Sequence, residues 1–162
     1  MNRFSVILMG RKPYRTLVRC VVLAVSSLFI FGKIIQPAII DGPSMEPTIP
    51  CRGFRFVYLQ AYRKTPPKRF DIVAIRVVGN RMYYLKRVLG LPGERIELRN
   101  GELYIDHEFV DEPHVIYQGI WSMAERELES NEFFISGDNR SMPMAFHKMG
   151  VTRKHHIAGR LL

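Results

Sequence analysis

One serine in this chain stands where a hydroxyl could be held out for chemistry. Residues 40–50 read IDGPSMEPTIP, and Gly42, Pro43, Pro47 and Pro50 impose an irregular, restricted backbone around Ser44. A serine hydroxyl is a poor nucleophile unless a base removes its proton, and the usual base is an imidazole oriented by a carboxylate. The histidines are His107, His114, His147, His155 and His156; none lies in a triad-like motif, and no HExxH or other zinc spacing is present. A lysine can replace the imidazole if burial keeps it neutral, which means lowering a pKa that starts at about 10.4 by several units. Lys86 suits that need. In the run RMYYLKRVLGL at 81–91, strand alternation puts Met82, Tyr84, Lys86 and Val88 on one face, and Tyr83, Leu85, Arg87 and Leu89 on the other. Taken singly, Ser44 reads as a surface loop leaving an apolar segment, and Lys86 as a lysine snorkelling at the edge of a core.

The elements that must bring these two residues together are mostly strands. Short β-rich runs recur between turn signals: FRFVYLQ at 54–60, DIVAIRVV at 71–78, RMYYLKRVLGL at 81–91, RIELR at 95–99, ELYID at 102–106 and EFFIS at 132–136. Asn100-Gly101 between two of them is a hairpin signal, because both central residues of a type I′ turn need positive φ. No stretch of helical periodicity beyond Ile40 is longer than WSMAERELES at 121–130. The expected fold is mainly β: a single N-terminal transmembrane helix, then a partly barrel-like antiparallel β catalytic domain.

The first residues include Arg3, Arg11, Lys12, Arg15 and Arg19, followed by the apolar run CVVLAVSSLFIFG at 20–32 and KIIQPAII at 33–40. Leu17 to Ile40 is long enough for the roughly 20 residues a bilayer core requires, with Arg19 and Lys33 snorkelling toward opposite headgroup layers. A cleavable signal peptide shares the basic start and the short apolar core. The small residues at alternate positions that mark a cleavage site are replaced here by Lys33 and bulky isoleucines, which favours an uncleaved anchor. The expected layout is a short basic cytoplasmic segment at 1–16, an anchor at 17–40 and an extracytoplasmic β-rich domain at 41–162, because the basic flank stays inside.

Composition sets the outer bounds. The formal net charge is +9 and 47% of residues are hydrophobic, which suits a packed domain and disfavours intrinsic disorder. The basic residues interleave with apolar ones and form no arm of the kind that binds nucleic acid, so no nucleic-acid partner is expected. Cys20 and Cys51 have neither metal-ligand spacing nor a disulfide pattern and read as independent small apolar residues.

Four blocks, taken in order, resemble the type I signal peptidases, the leader peptidases that use a Ser-Lys dyad. GPSMEPTI at 42–49 resembles the family's nucleophile box, RFDIVAIR at 69–76 its following strand, YLKRVLGLPGE at 84–94 its lysine box and SGDNR at 136–140 its distal box. The resemblance implies Ser44 as nucleophile and Lys86 as general base. It makes Pro43, Met45 and Pro47 shapers of the loop, and the Ser44 N–H an oxyanion donor. Gly42 stands where some members carry a hydroxyl, so the second donor would be backbone or water. Asp138, Asn139 and Arg140 would fix the distal loop. No cofactor is implied. The substrates would be signal-peptide-bearing preproteins met at the bilayer surface, cut after small residues at the first and third positions before the bond.

The distal block departs from the family pattern. Pro143, Ala145, Phe146 and His147 stand where Ser, Asp, Ser and Arg are usual, so the hydroxyl that orients the lysine and a buttressing Asp/Arg pair are missing from their places. Ser141 or Ser136 would substitute for the hydroxyl, or packing alone would hold Lys86, with His147 a partial replacement for the arginine. Two other functions share the pattern: a specialised maturation peptidase of the same dyad class, and a non-catalytic scaffold for surface-protein assembly. The sequence does not assign an oligomeric state.

Overall fold

The computed structural model describes residues 13–76, 83–147 and 149–162. Arg3, Arg11, Lys12 and Met82, and the ends of the runs expected at 71–78 and 81–91, lie outside them. The first element is a helix, α1 (Pro13–Lys33). Its stretch Tyr14–Lys33 has mean hydropathy 1.8 and is long and apolar enough to cross a membrane. Leu17, Val21, Leu23, Leu28 and Phe29 are all exposed, so the helix is apolar around its circumference, not along one stripe.

The helix stops short of the expected anchor end at Ile40, and the cause is Pro37. A proline clashes with the carbonyl four residues earlier and supplies no N–H to it. That carbonyl belongs to Lys33, the last residue of α1, and it accepts a hydrogen bond from Gln60 Nε2 at 2.6 Å instead. The following residues form β1 (Ile35–Asp41), paired antiparallel with β2 (Arg52–Tyr58). Pro37 is tolerated there because β1 is an edge strand.

Nine further strands follow among the described residues: β3 (Ile72–Arg76), β4 (Tyr83–Gly90), β5 (Arg95–Arg99), β6 (Glu102–Ile105), β7 (Glu108–Val110), β8 (Met123–Glu127), β9 (Glu132–Ser136), β10 (Gly150–Arg153) and β11 (Ile157–Leu161). They build two antiparallel sheets, one ordered β1-β2-β11-β3-β4-β9-β10 and one ordered β7-β6-β5-β8. The larger sheet curls: the Tyr83 hydroxyl of β4 donates to Gln36 Oε1 of β1 at 2.7 Å, although three strands separate them in sheet order. This partial closure is the barrel-like character expected from the sequence. Ala38, Met45, Ile49, Val57, Ala74 and Leu85 fill the space inside it. A second core, with Leu89, Ile96, Leu98, Leu103, Trp121 and Phe134, lies under the smaller sheet.

Asn100 (φ 50°) and Gly101 (φ 92°) both take positive φ between β5 and β6, as the hairpin signal requires. The helical periodicity at 121–130 does not produce a helix. Trp121 and Leu128 are anchored in the core at either end, and the residues between them run extended as β8 against β5. Tertiary pairing has overridden local preference.

The outer face of the β1–β2 hairpin carries a row of apolar side chains. Ile39 and Phe54 face each other across the hairpin at 85% and 54% exposure, with Phe56 beside them in edge contact with Phe54. Phe56 also meets Phe31 of α1, with ring centroids 6.4 Å apart. The row therefore runs from the helix toward the Ser44 loop.

Candidate active site

Ser44 lies in a short 3-10 turn, Pro43–Met45, directly after β1. Gly42 enters it at φ 139°, a conformation side chains rarely adopt, and its N–H is tied back to the Cys51 carbonyl at 2.9 Å. Met45 and Ile49 point inward and are 3% exposed, which plugs the loop into the barrel interior. They are core residues, while Phe54 and Phe56 face outward. Pro47 is exposed on the loop's outer side.

Lys86 sits in the middle of β4, opposite Val73 of β3. Every residue from Leu85 to Gly90 is buried, so the strand has apolar packing on both faces and Lys86 is only 3% exposed. Its Nζ donates to Ser44 Oγ at 2.7 Å, within reach for direct proton transfer. Burial of this kind disfavours an ammonium and favours the amine.

The 137–139 segment clamps the nucleophile loop from the other side. The Asn139 N–H donates to the Ser44 carbonyl at 3.1 Å, and Asn139 Nδ2 to the Pro43 carbonyl at 3.2 Å. Thr48 Oγ1 donates to Asp138 Oδ2. Gly137 is glycine for lack of room: a Cβ there would fall 2.1 Å from the Ser44 carbonyl oxygen and 2.5 Å from His147 Cε1.

Asp138 is fully buried and held by Arg87, the residue after Lys86. An Arg/Asp pair is thus present, supplied from the strand and not from the distal positions at which the sequence lacks it. The residue pattern held a signal for this: an arginine on a strand with large apolar neighbours on both faces needs a buried carboxylate. Arg140, 1% exposed, donates to the Gly137 carbonyl at 2.9 Å and pairs with Glu112 at 2.6 Å. Glu112, in the loop after β7, carried no sequence signal. Ser141 donates to Asn139 Oδ1 at 2.6 Å and Ser136 to the Gly137 carbonyl at 3.3 Å, so both hydroxyls brace the distal segment.

His147 is wholly buried, edge-on to Trp121 with centroids 4.5 Å apart. Its Nδ1 accepts the Gly137 N–H at 3.3 Å, which makes the ring a neutral imidazole with its proton on Nε2. Burial above all, together with the positive charge of Arg140, pushes its pKa down to about 4. Cys20 and Cys51 are both free and exposed.

A small hollow of about 60 Å³ opens beside Ser44, lined on one side by Ile39 to Gly42 and on the other by Tyr83 to Leu85. A serine hydroxyl bonded to a buried lysine amine, on a β scaffold with an open edge strand alongside, has the constitution of a serine endopeptidase. The profile of the family described as "Signal peptidase, peptidase S26" matches residues 14–162. Signal peptidase I S of Bacillus subtilis (strain 168) is 32% identical over 151 residues, 86% of this chain and 81% of that protein. A signal peptidase I of Bacillus amyloliquefaciens is 31% identical over 150 residues, 86% of this chain and 80% of that one. A crystal structure of a signal peptidase I from Enterococcus faecalis V583 aligns with a TM-score of 0.49 and 25% identity, over 60% of this chain and 98% of that chain. The chain belongs to the signal peptidase family, peptidase S26.

Proposed function

We propose that this protein removes signal peptides from exported precursors through an acyl-enzyme, with Ser44 as nucleophile and Lys86 as general base. The observation that carries the reading is the 2.7 Å contact between the Lys86 amine and the Ser44 hydroxyl at a site where the lysine is 3% exposed. Ser44 Oγ attacks the scissile carbonyl carbon while its proton passes to Lys86 Nζ. The Ser44 N–H faces the developing oxyanion. The C–N bond then breaks, the leaving amine takes the proton from Lys86, and the precursor's amino-terminal part remains as an ester on Ser44. A water molecule, deprotonated by Lys86, attacks that ester; the Ser44 oxygen recovers the proton and the signal peptide leaves as an acid.

Substrate class follows from size and place. The hollow beside Ser44, at about 60 Å³, is far below the several hundred Å³ of an ordinary ligand pocket, and suits small side chains next to the bond. β1 is an edge strand, so an extended peptide can add alongside it. In this reading α1 spans the membrane, the basic segment before it remains cytoplasmic, and residues 35–162, from β1 onward, form the extracytoplasmic domain. Ser44 follows the helix end by a whole strand. The apolar row of Ile39, Phe54 and Phe56, laid on the bilayer, brings the catalytic loop back to its surface.

The test is cleavage of a purified preprotein in detergent by the wild type, Ser44→Ala and Lys86→Ala. Both variants are expected to lose cleavage, and Lys86→Arg is expected not to restore it, because a guanidinium does not give up its proton. Undiminished cleavage in either alanine variant overturns the mechanism. A wild type that leaves every preprotein intact favours the scaffold function instead.

A further inference from the structure

Five exposed cations gather where α1 hands the chain to the sheet: Lys33, Arg63, Lys64, Lys68 and Arg160. Hydrogen bonds tie the Lys33 end of the helix to the turn that carries Arg63 and Lys64. Gln60 Nε2 caps the Lys33 carbonyl at 2.6 Å, the Leu59 N–H donates to the Ile34 carbonyl at 2.8 Å, and Arg63 Nη1 donates to Gln60 Oε1 at 2.9 Å. The turn carrying Arg63 and Lys64 is therefore fastened to the last turn of the helix. Arg160 arrives from β11, opposite Tyr58 of β2.

Between these side chains lie two adjoining hollows. One, of about 740 Å³, is lined by Tyr58, Gln60, Ala61, Arg63 and Lys64. The other, of about 220 Å³, shares Tyr58 and Ala61 and has Lys68 and Arg160 on its wall. The carboxylate there, Asp71, is already engaged by the Tyr62 hydroxyl and the Lys68 N–H, each at 3.0 Å. What remains is a concave surface with cations on its rim, two tyrosines in its wall and a depth set by the helix end. Basic residues ordinarily concentrate on the untranslocated flank of a span, so a cluster at the opposite end calls for its own cause.

We propose that this basic hollow binds the phosphodiester headgroup of an anionic phospholipid in the leaflet where α1 ends. The proposal rests on the reading that α1 spans a bilayer, and it adds a lipid preference to it. A phosphate at this level meets guanidinium and ammonium groups whose placement is already paid for by the fold, and tyrosines favour the same interfacial depth.

The experiment uses the full chain in phosphatidylcholine vesicles, with spin-labelled phosphatidylglycerol or phosphatidylcholine as the probe and the motionally restricted fraction as the readout. Phosphatidylglycerol is expected to be preferred by about fivefold, the factor one well-placed basic residue supplies near an anionic surface. The triple variant Arg63→Gln, Lys64→Gln, Lys68→Gln is expected to lose the preference. Arg153→Gln with Lys154→Gln, exposed cations at the end of the sheet's other edge strand, is expected to keep it. An unchanged preference in the triple variant, or equal restriction of the two lipids by the wild type, overturns the proposal while leaving the anchor intact. Failure of the wild type to float with the vesicles overturns the anchor and the lipid site together. Inorganic phosphate at matched ionic strength is expected to leave the preference in place; displacement by it would reassign the hollow to free phosphate and also overturn the proposal.

Discussion

The guanidinium of Arg87 holds both carboxylate oxygens of Asp138, at 2.8 Å through Nε and 2.6 Å through Nη2. Because Arg87 follows Lys86 in β4, one strand sends an amine to Ser44 and a guanidinium to the segment that grips the Ser44 loop from behind. Asp138→Asn leaves a buried, uncompensated arginine and is expected to lower stability by about 3–5 kcal/mol. Chemical denaturation measures this, and pairing the change with Arg87→Met should recover part of the loss.

Gly137→Ala tests the clamp itself. Its Cβ would enter space held by the Ser44 carbonyl oxygen and the His147 ring, and the nearer obstacle is backbone. The Ser44 loop must move, so preprotein cleavage is expected to fall at least about 100-fold, the scale on which displacing a reacting group by 1 Å acts. Wild-type turnover in this variant would show that the clamp does not position the serine.

Gly101→Ala is the matching change away from the site. The substituent would sit 2.0 Å from the Gly119 carbonyl oxygen on a residue with φ 92°. A stability loss of roughly 1–3 kcal/mol is expected from the strained turn. The folded fraction should cleave at the wild-type rate, which thermal unfolding and activity assays on the same preparation would establish.

His147 gives a pH signature. Its folded pKa, about 4, lies below the ordinary 6.5, so the unfolded chain binds a proton first as pH falls. Stability from this group is complete above pH 6.5, declines as pH drops from 6.5 toward 4, and then levels off. The loss amounts to at most roughly 3 kcal/mol, at 1.36 kcal/mol per pKa unit. His147→Asn retains an acceptor for the Gly137 N–H and does not titrate. Over that range its stability is expected to fall less than the wild type's, and parallel slopes would contradict the assignment.

The β runs were legible because alternation and turn chemistry are local: β5, β9 and the Asn100-Gly101 hairpin fall where the residues indicate. The blocks that carry Ser44 and Lys86 were legible because they are compact, and the structure brings the two side chains together. What escaped was decided at a distance. β1 was absorbed into the expected anchor because Ile34 to Ile40 is as apolar as a helix end, and only Pro37 marks the break. β8 looked helical because its role is set by β5. The Arg87–Asp138 pair joins residues 51 positions apart, so the strand pattern that calls for a carboxylate does not say which one answers it. The missing distal arginine pointed to an absent pair, whereas the fold supplies one from the neighbour of the lysine.

The apolar row on the β1–β2 hairpin bears on how the protein can be handled. Cutting the chain before Ile35 would remove α1 yet leave Ile39, Phe54 and Phe56 in water at 85%, 54% and 37% exposure, before counting the surface of Phe56 that Phe31 had covered. Losing the helix would not yield a well-behaved soluble fragment. Such a fragment would still need detergent and would self-associate through this row, and polar substitutions at Ile39 and Phe54 are the route to a monodisperse preparation.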